Sequence, residues 1–436
     1  MVGASPPIEV IGTDASGPDG LPVQLQDLLL GADLVAAPQR LGPQLSRWLA
    51  DRQLAAPLLS TDQPQPLLEQ LELALQQGRR VVVLASGDPL WFGIGRLLLE
   101  RFGRERLRLH PAPSSLQLAF ARIGRPWQDA SWISLHGREP EPLAARLQQR
   151  PAALVVLTDP AQGGAHTVRA MLRASGLEAA YGFWLCERLG HPQERVQQLT
   201  PDQPLPDQLD PLHLVVLLAH EPAPLTAQQQ AALPLFGLDD GLWLQHSDRP
   251  GLMTKREVRI QLLAELQLPP AGVLWDIGAG VGSIGLEALR LRPGLQLWAL
   301  EQRGGGAALI RANAERFGVA SALAAGGVIE GRAPAALAQL PDPDRVLLGG
   351  GGRERAAVLQ ALLPRLRPGG VVVIPLATLE ALAELRPLLE QAGLRVSVAQ
   401  LQAWRGAPLA DGTRLAPLNP VLVLSGARPA GACPSG

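Results

Sequence analysis

Several residue types are nearly missing from this chain. Among its 436 residues there is one lysine, one tyrosine and two cysteines, and aromatics make up only 4%. Cys186 and Cys433 form no disulfide framework and no zinc-ligand spacing, so no metal is expected and a reducing compartment suits the chain. The basic residues are almost all arginines spread singly, and the net charge is −1. No run of them reads as a phosphate-tracking patch, which argues against a nucleic-acid partner. No apolar run approaches a bilayer span and no basic-then-apolar leader opens the chain. A cytoplasmic protein without membrane contact is the expectation. The solitary Lys255 stands out as a candidate catalytic residue.

What the chain has is length, glycine and regular alternation. Two or three cores are expected at this size. Residues 8–11, 33–36 and 81–85 read as strands, with helical patterns over 22–31, 65–77 and 93–102 between and after them. Further strands are expected at 132–135, 154–157, 181–185 and 212–218. Such alternation argues an α/β layer with a parallel sheet. Residues 219–236, with Pro222, Pro224, Pro234 and the run Gln228-Gln229-Gln230, read as a connection between domains. A second α/β unit then follows, with strands near 345–348 and 371–374 and an edge pair at 396–400 and 421–424. The expected division is 1–222, a connection over 223–238, and 239–436.

The densest signal lies in that second unit. Residues 274–283 read LWDIGAGVGS, an apolar run, a glycine cluster (Gly278, Gly280, Gly282) and the start of a helical pattern. Glycines there let a nucleotide approach the backbone, and Glu301, ending the next apolar run about 20 residues on, is placed to accept hydrogen bonds from a ribose. The third glycine comes one residue too early for a dinucleotide fingerprint, which favours the S-adenosylmethionine type of loop. In the first half, Ser86-Gly87-Asp88-Pro89 follows a β-branched run and makes a turn where open α/β sheets bind ligands. Ser114 and Ser115 open the next helix, either as a cap or as a ligand contact. Ser134 to Arg138 places His136 and Arg138 at a strand end. His136 reads first as a rim or buried histidine and second as a base.

These stretches carry a resemblance. Residues 85–95 (ASGDPLWFGIG), 113–122 (PSSLQLAFAR), 126–130 (PWQDA) and 135–138 (LHGR) resemble the tetrapyrrole methylase family, in its precorrin C5-methylating branch. Residues 253–259 (MTKREVR), the glycine loop, 316–319 (RFGV), 340–344 (LPDPD) and 367–370 (RPGG) are similar to the decarboxylating C15-methylating precorrin enzymes. The order of the two is that of the fused, bifunctional members. The resemblance implies an α/β chain with an N-terminal tetrapyrrole methylase fold of two α/β subdomains, followed by a Rossmann-like class I methyltransferase domain. It implies S-adenosylmethionine as methyl donor and a precorrin-6, with or without cobalt, as substrate. The reaction implied is methylation at C5 and C15 with loss of carbon dioxide from an acetate arm. A homo-oligomer is implied as well.

By residue, the nucleoside contacts implied are Thr254, Gly278, Ala279, Gly280, Val281, Gly282, Glu301 and Ala333 in the second half. In the first half they are Gly12, Gly87, Asp88, Pro89, Ser114 and Ser115. A substrate fringed with carboxylates calls for guanidinium partners, and Arg138, Arg256, Arg259 and Arg353 are the candidates, with Arg249 beside them. Lys255 is expected to orient a carboxylate or cap the cofactor pocket. The sequence departs from the family at Gly12 to Gly17, which keeps only part of a Gly-x-Gly-Pro-Gly loop. It departs again at Gly331-Arg332-Ala333-Pro334, where an arginine replaces an aspartate. A methyltransferase acting on RNA, protein or another tetrapyrrole, and a non-catalytic adenosylmethionine-binding module, are the alternatives.

Overall fold

A computed structural model describes residues 6–54, 56–135, 141–246, 248–350, 352–409 and 412–430. The chain falls into two compact units. One holds residues up to 138 together with 153–166 and 183–218. The other holds 139–152, 167–182 and everything from 219 onward.

The first unit is built on five parallel strands: β1 (Ile8–Thr13), β2 (Leu34–Ala37), β3 (Leu58–Ser60), β4 (Val81–Ser86) and β5 (Leu107–His110), in the order β3-β2-β4-β1-β5. Both faces are covered, so the central strands are apolar throughout. Val81 and Val83 pack with Leu67, Leu71 and Leu75 of helix Pro64–Gln76, while Val82 and Leu84 pack with Leu45, Trp48 and Leu49 of helix Gly42–Ala50. That period-two division is why the run 81–85 contains no polar residue.

A second, mixed sheet follows: β6 (Ala130–Ser134), β7 (Ala153–Leu157), β8 (Tyr181–Glu187), β9 (Arg195–Leu199) and β10 (His213–Ala219), ordered β6-β7-β10-β8-β9. Leu116 and Phe120 of helix Ser115–Ile123 pack on Val155, Val216 and Cys186. Burial pushes the Cys186 thiol up to about 12, so it behaves as a small apolar side chain. Cys433 lies outside the described residues.

The second unit carries seven strands: β11 (Ala271–Ile277), β12 (Gly294–Glu301), β13 (Gly327–Glu330), β14 (Arg345–Leu348), β15 (Val371–Leu376), β16 (Arg395–Leu401) and, after a separate hairpin of β17 (Trp404–Leu409) and β18 (Gly412–Pro417), β19 (Val421–Ala427). The order is β13-β12-β11-β14-β15-β19-β16, parallel up to β15 and antiparallel at β19. This is a Rossmann-like α/β architecture whose strand order reverses between β11 and β14, where such sheets open a crevice. The two final strands do pair, but β19 is inserted between β15 and β16, so only β16 is an edge. Among the described residues no helix is long and apolar enough to cross a membrane.

The expected connection is not free chain. Helix Ala227–Ala232 opens with a Thr226 capping box, Gln230 donates to the carbonyls of Glu315 and Arg316, and Arg290 donates to those of Pro234 and Leu235. Gly237 and Leu238 place their amides on the buried Glu287 carboxylate, at 2.6 and 3.2 Å.

Candidate functional site

At the carboxyl ends of β11, β12 and β14 lies a cavity of about 860 Å³. The loop after β11 shapes its floor. The amides of Gly278 and Ala279 donate to the Leu300 carbonyl at 2.8 and 3.1 Å, and those of Gly349 and Gly350 donate to the Ile277 carbonyl. Gly278 has φ +74°, and a Cβ on it would stand 2.5 Å from Gly350 Cα, so no other residue fits. Helix Ser283–Leu291 starts immediately after, with its positive end toward the cavity.

Two buried carboxylates set the electrostatics. Glu301, at the end of β12, accepts from the Gly280 amide at 2.7 Å and from the Arg303 amide at 2.9 Å. A carboxylate has about four acceptor positions, so capacity remains for a ligand hydroxyl. Asp276 accepts from the Gly285 amide at 3.2 Å. Burial pushes its carboxyl up to about 7, with the Gly285 bond working against the rise and the nearby Glu301 charge adding to it.

Thr254, Gly278, Ala279, Gly280, Val281, Glu301, Ala333 and Arg353 all line this cavity. Gly282 does not; it caps the helix with φ +79°. Arg353 makes no hydrogen bond or ion pair among the described residues and is free to meet an anion. Arg332, the departure from the family pattern, pairs with Glu354 at 2.9 and 3.1 Å on the rim, where both are exposed.

The other basic candidates are placed elsewhere. Arg259, expected to meet substrate, is wholly buried: it pairs with Asp240 at 2.6 Å and Glu287 at 3.0 Å and donates to the carbonyls of Thr254 and Leu238. Four of its five N–H groups are spent and the side chain has no exposure, so no ligand reaches it. Arg256 donates through Nε to the Gly237 carbonyl at 2.6 Å. Lys255 does not line the cavity; its ammonium donates to the Gly251 carbonyl at 3.3 Å, and burial lowers its pKa. Arg249 is exposed away from the cavity lining. Arg138 and His136 lie outside the described residues.

In the first unit the loops after β1, β4 and β5 close on one another. A Cβ on Gly12 would stand 2.1 Å from the Gly87 carbonyl oxygen and 2.7 Å from the Ala112 nitrogen. Gly87 donates to the Thr13 carbonyl at 2.7 Å. Asp88 accepts from the Leu90 amide at 2.8 Å, making an Asx turn, and the Pro89 carbonyl accepts from Gly95. Ser114 is the cap of helix Ser115–Ile123, in a capping box with Gln117, and Ser115 begins that helix. The altered loop is nonetheless tied down: Thr13 Oγ1 donates to the Gly17 carbonyl at 2.9 Å, and Asp14 accepts from the Ser16 amide. Beside these loops is a second cavity, of about 800 Å³, with Arg40, Arg47 and Arg188 in its lining. Arg40 reaches Ser86 Oγ, next to Gly87, at 2.5 Å. Nothing in the spacing of these arginines singled them out, because only the fold brings them together. Among the described residues no cluster of histidines, cysteines and carboxylates is arranged to hold a metal.

Residues 8–203 match the family described as Tetrapyrrole (Corrin/Porphyrin) Methylases, and residues 245–428 match the Precorrin methyltransferase domain. A Sinorhizobium protein named Precorrin-6Y C(5,15)-methyltransferase [decarboxylating] is 34% identical over 424 residues, covering 96% of this chain and 95% of its own length. The chain belongs to the precorrin-6Y C5,15-methyltransferase family. A Pyrobaculum aerophilum relative, named a probable cobalt-precorrin-6B C(15)-methyltransferase (decarboxylating), is 38% identical over 40% of this chain and 87% of its own. A solved structure from Geobacter metallireducens, titled precorrin-6y C5,15-methyltransferase, is 33% identical with a TM-score of 0.41, covering 45% of this chain and 100% of that one. Within the precorrin-6Y C5,15-methyltransferase family, then, the resemblance extends along nearly the whole sequence.

Proposed function

We infer that the chain methylates a precorrin-6 at C5 and C15 with S-adenosylmethionine and removes carbon dioxide from an acetate arm, in corrin ring formation. The single observation that carries this reading is the cavity at the end of β11, where Glu301 and the glycine loop form a nucleoside cradle. The residues fit the methyl donor: at Gly280, φ +58°, the space a Cβ would take is open, and the cavity volume lies in the ordinary range for a ligand site. Glu301 would hold the ribose and the loop from Gly278 to Val281 the rest of the nucleoside.

When bound, the donor supplies an already electrophilic methyl group, so what this chain adds is alignment. Proximity and orientation account for roughly 7–11 kcal/mol at best. Arg353, unpaired at the cavity mouth, would take a substrate carboxylate in a bidentate grip. As carbon dioxide departs the electron pair would pass into the conjugated macrocycle and a proton would return to the arm carbon to leave a methyl, so the protein's part would be to hold the arm and exclude bulk water. In the first unit, Gly12, Gly87, Asp88, Pro89, Ser114 and Ser115 would hold the second donor for C5. Residues 1–222 would serve C5, 239–436 would serve C15, and 223–238 would join them.

Incubating the full chain with methyl-labelled adenosylmethionine and a precorrin-6 should transfer two methyls and release one carbon dioxide. One methyl with no carbon dioxide, or label appearing only in added RNA or protein, would overturn the reading.

A further inference from the structure

The second unit contains segments from both halves of the sequence, since residues 139–152 and 167–182 lie in one compact body with 219–436. Buried charge gathers where these segments meet. Asp240 is 3% exposed. Its Oδ1 accepts from Arg259 Nη1 at 2.6 Å and from the Arg256 amide at 3.1 Å, and its Oδ2 accepts from Arg405 Nη2 at 3.0 Å. Its main-chain carbonyl accepts from Arg150 at 3.4 Å. Arg405, on β17, also donates to both oxygens of Glu257, at 2.9 and 2.8 Å, and to the Ser175 carbonyl at 2.7 Å. Beside it the Gly241 amide donates to the Gly176 carbonyl at 2.7 Å. A Cβ on Gly241 would stand 2.7 Å from that oxygen and 3.0 Å from Leu177 Cα.

The bonds form an unbroken series. Ser175 accepts from Arg405, Arg405 pairs with Asp240, Asp240 pairs with Arg259, and Arg259 donates to the Thr254 carbonyl at 2.8 Å. Thr254, with Gly251, Leu252 and Met253, lines the large cavity. Buried ions of this kind are tolerated only when every partner is in place. Removing one link leaves the others uncompensated, so the members order together.

We propose that Arg405 is a positioning residue for the C15 site. It ties the turn after helix Gly164–Ala174 to the cavity's 251–254 segment, so that the first half of the sequence sets how well the second half grips its methyl donor. The inference rests on the reading of that cavity as an adenosylmethionine site.

The test uses the full chain with adenosylmethionine varied at saturating precorrin-6, scoring C5 and C15 products separately. Arg405→Ala should raise the KM for adenosylmethionine in C15 methylation about tenfold while kcat changes by less than a factor of about three, with C5 parameters unmoved. Arg405→Lys should recover part of the loss, because one ammonium reaches a carboxylate but cannot fork to two. Gly241→Ala leaves every charge in place and pushes the 176–177 turn away; it should shift the C15 KM in the same direction. Unchanged C15 KM in Arg405→Ala and Gly241→Ala overturns the proposal. Should Arg405→Ala fail to fold, Arg405→Lys and Gly241→Ala decide on the same readout. A wild-type chain that makes C5 but no C15 product sinks the functional reading and the inference with it, whereas a wild type active at both carbons with indifferent variants sinks the inference alone.

Discussion

At the end of β11 the chain leaves about 860 Å³ of open space behind its glycine loop, with buried carboxylates on two neighbouring strands. At the end of β1 three loops press together until Gly12 has no space for a Cβ. Both regions use glycine at the carboxyl end of a parallel strand. In the second unit Gly278 also lets backbone meet backbone, at Gly350, but Gly280 faces open space, and side-chain charge shapes the loop. In the first unit glycine lets backbone meet backbone, and the polar side chains of the motif, Asp88 and Ser114, are occupied with a turn and a helix cap. The same residue type therefore makes a joint at Gly12 and at Gly278 and leaves open space at Gly280.

The comparison breaks most sharply at the second unit's buried ion cluster. Arg259→Met leaves the buried Glu287 without its ion-pair partner and Asp240 with Arg405 alone, and should cost about 3–5 kcal/mol of stability. Thermal unfolding should show the loss in the transition that carries the second unit; a melting curve superimposable on wild type would remove the cluster's structural role. Next comes Glu301→Leu, which deprives the Gly280 and Arg303 amides of their acceptor. The carboxylate's bonds to the ribose hydroxyls, of about 1.5–3 kcal/mol each, would go with it, so affinity for adenosylmethionine in the second unit should fall about 100-fold or more. Calorimetry on the full chain should then count one tight site fewer than in wild type. Gly12→Ala is the mirror experiment. It should lower C5 methylation by about tenfold through displaced loops and leave C15 untouched, and equal loss of both products would mean that the two regions are not separable.

The mildest effect is a pH dependence. Asp276 keeps its proton up to about 7, well above the ordinary 3.8. The folded state thus holds a proton that the unfolded chain has released, and this contribution, full below 3.8, is lost as pH rises through about 7. Asp276→Asn should erase it, so the melting-temperature difference between variant and wild type should widen in the variant's favour from pH 5 to pH 8. A difference that stays constant over that range would show that the carboxyl titrates normally.

Much of the fold was legible because it is written in short-range patterns. The run 81–85 is apolar on both faces and 273–277 is so apart from Asp276, and no other local conformation buries such a stretch so well. The strands that escaped notice were β3, β5, β9 and the β17–β18 hairpin. Leu107–His110 and Arg195–Leu199 have no fully buried position, mix half-buried with exposed ones and carry arginine, as sheet edges do, and so look like loops. Arg405, in one of those overlooked strands, drew no attention at all. Arg259 drew attention of the wrong kind, because an arginine near a site motif looks the same whether it faces a ligand or a buried aspartate.

The sequence by itself determined the alternation of strand and helix, the two glycine turns and the place of Glu301 one strand beyond the loop. Each of these depends on residues close together along the chain, where backbone dihedrals and burial periodicity act. The tertiary structure alone decided which arginines are free and which are spent. Arg405 finds Ser175 across 230 residues and Asp240 across 165, and Arg353 stays open to solvent. A charge's task depends on what stands beside it in space, and desolvation and pairing are properties of the assembled core.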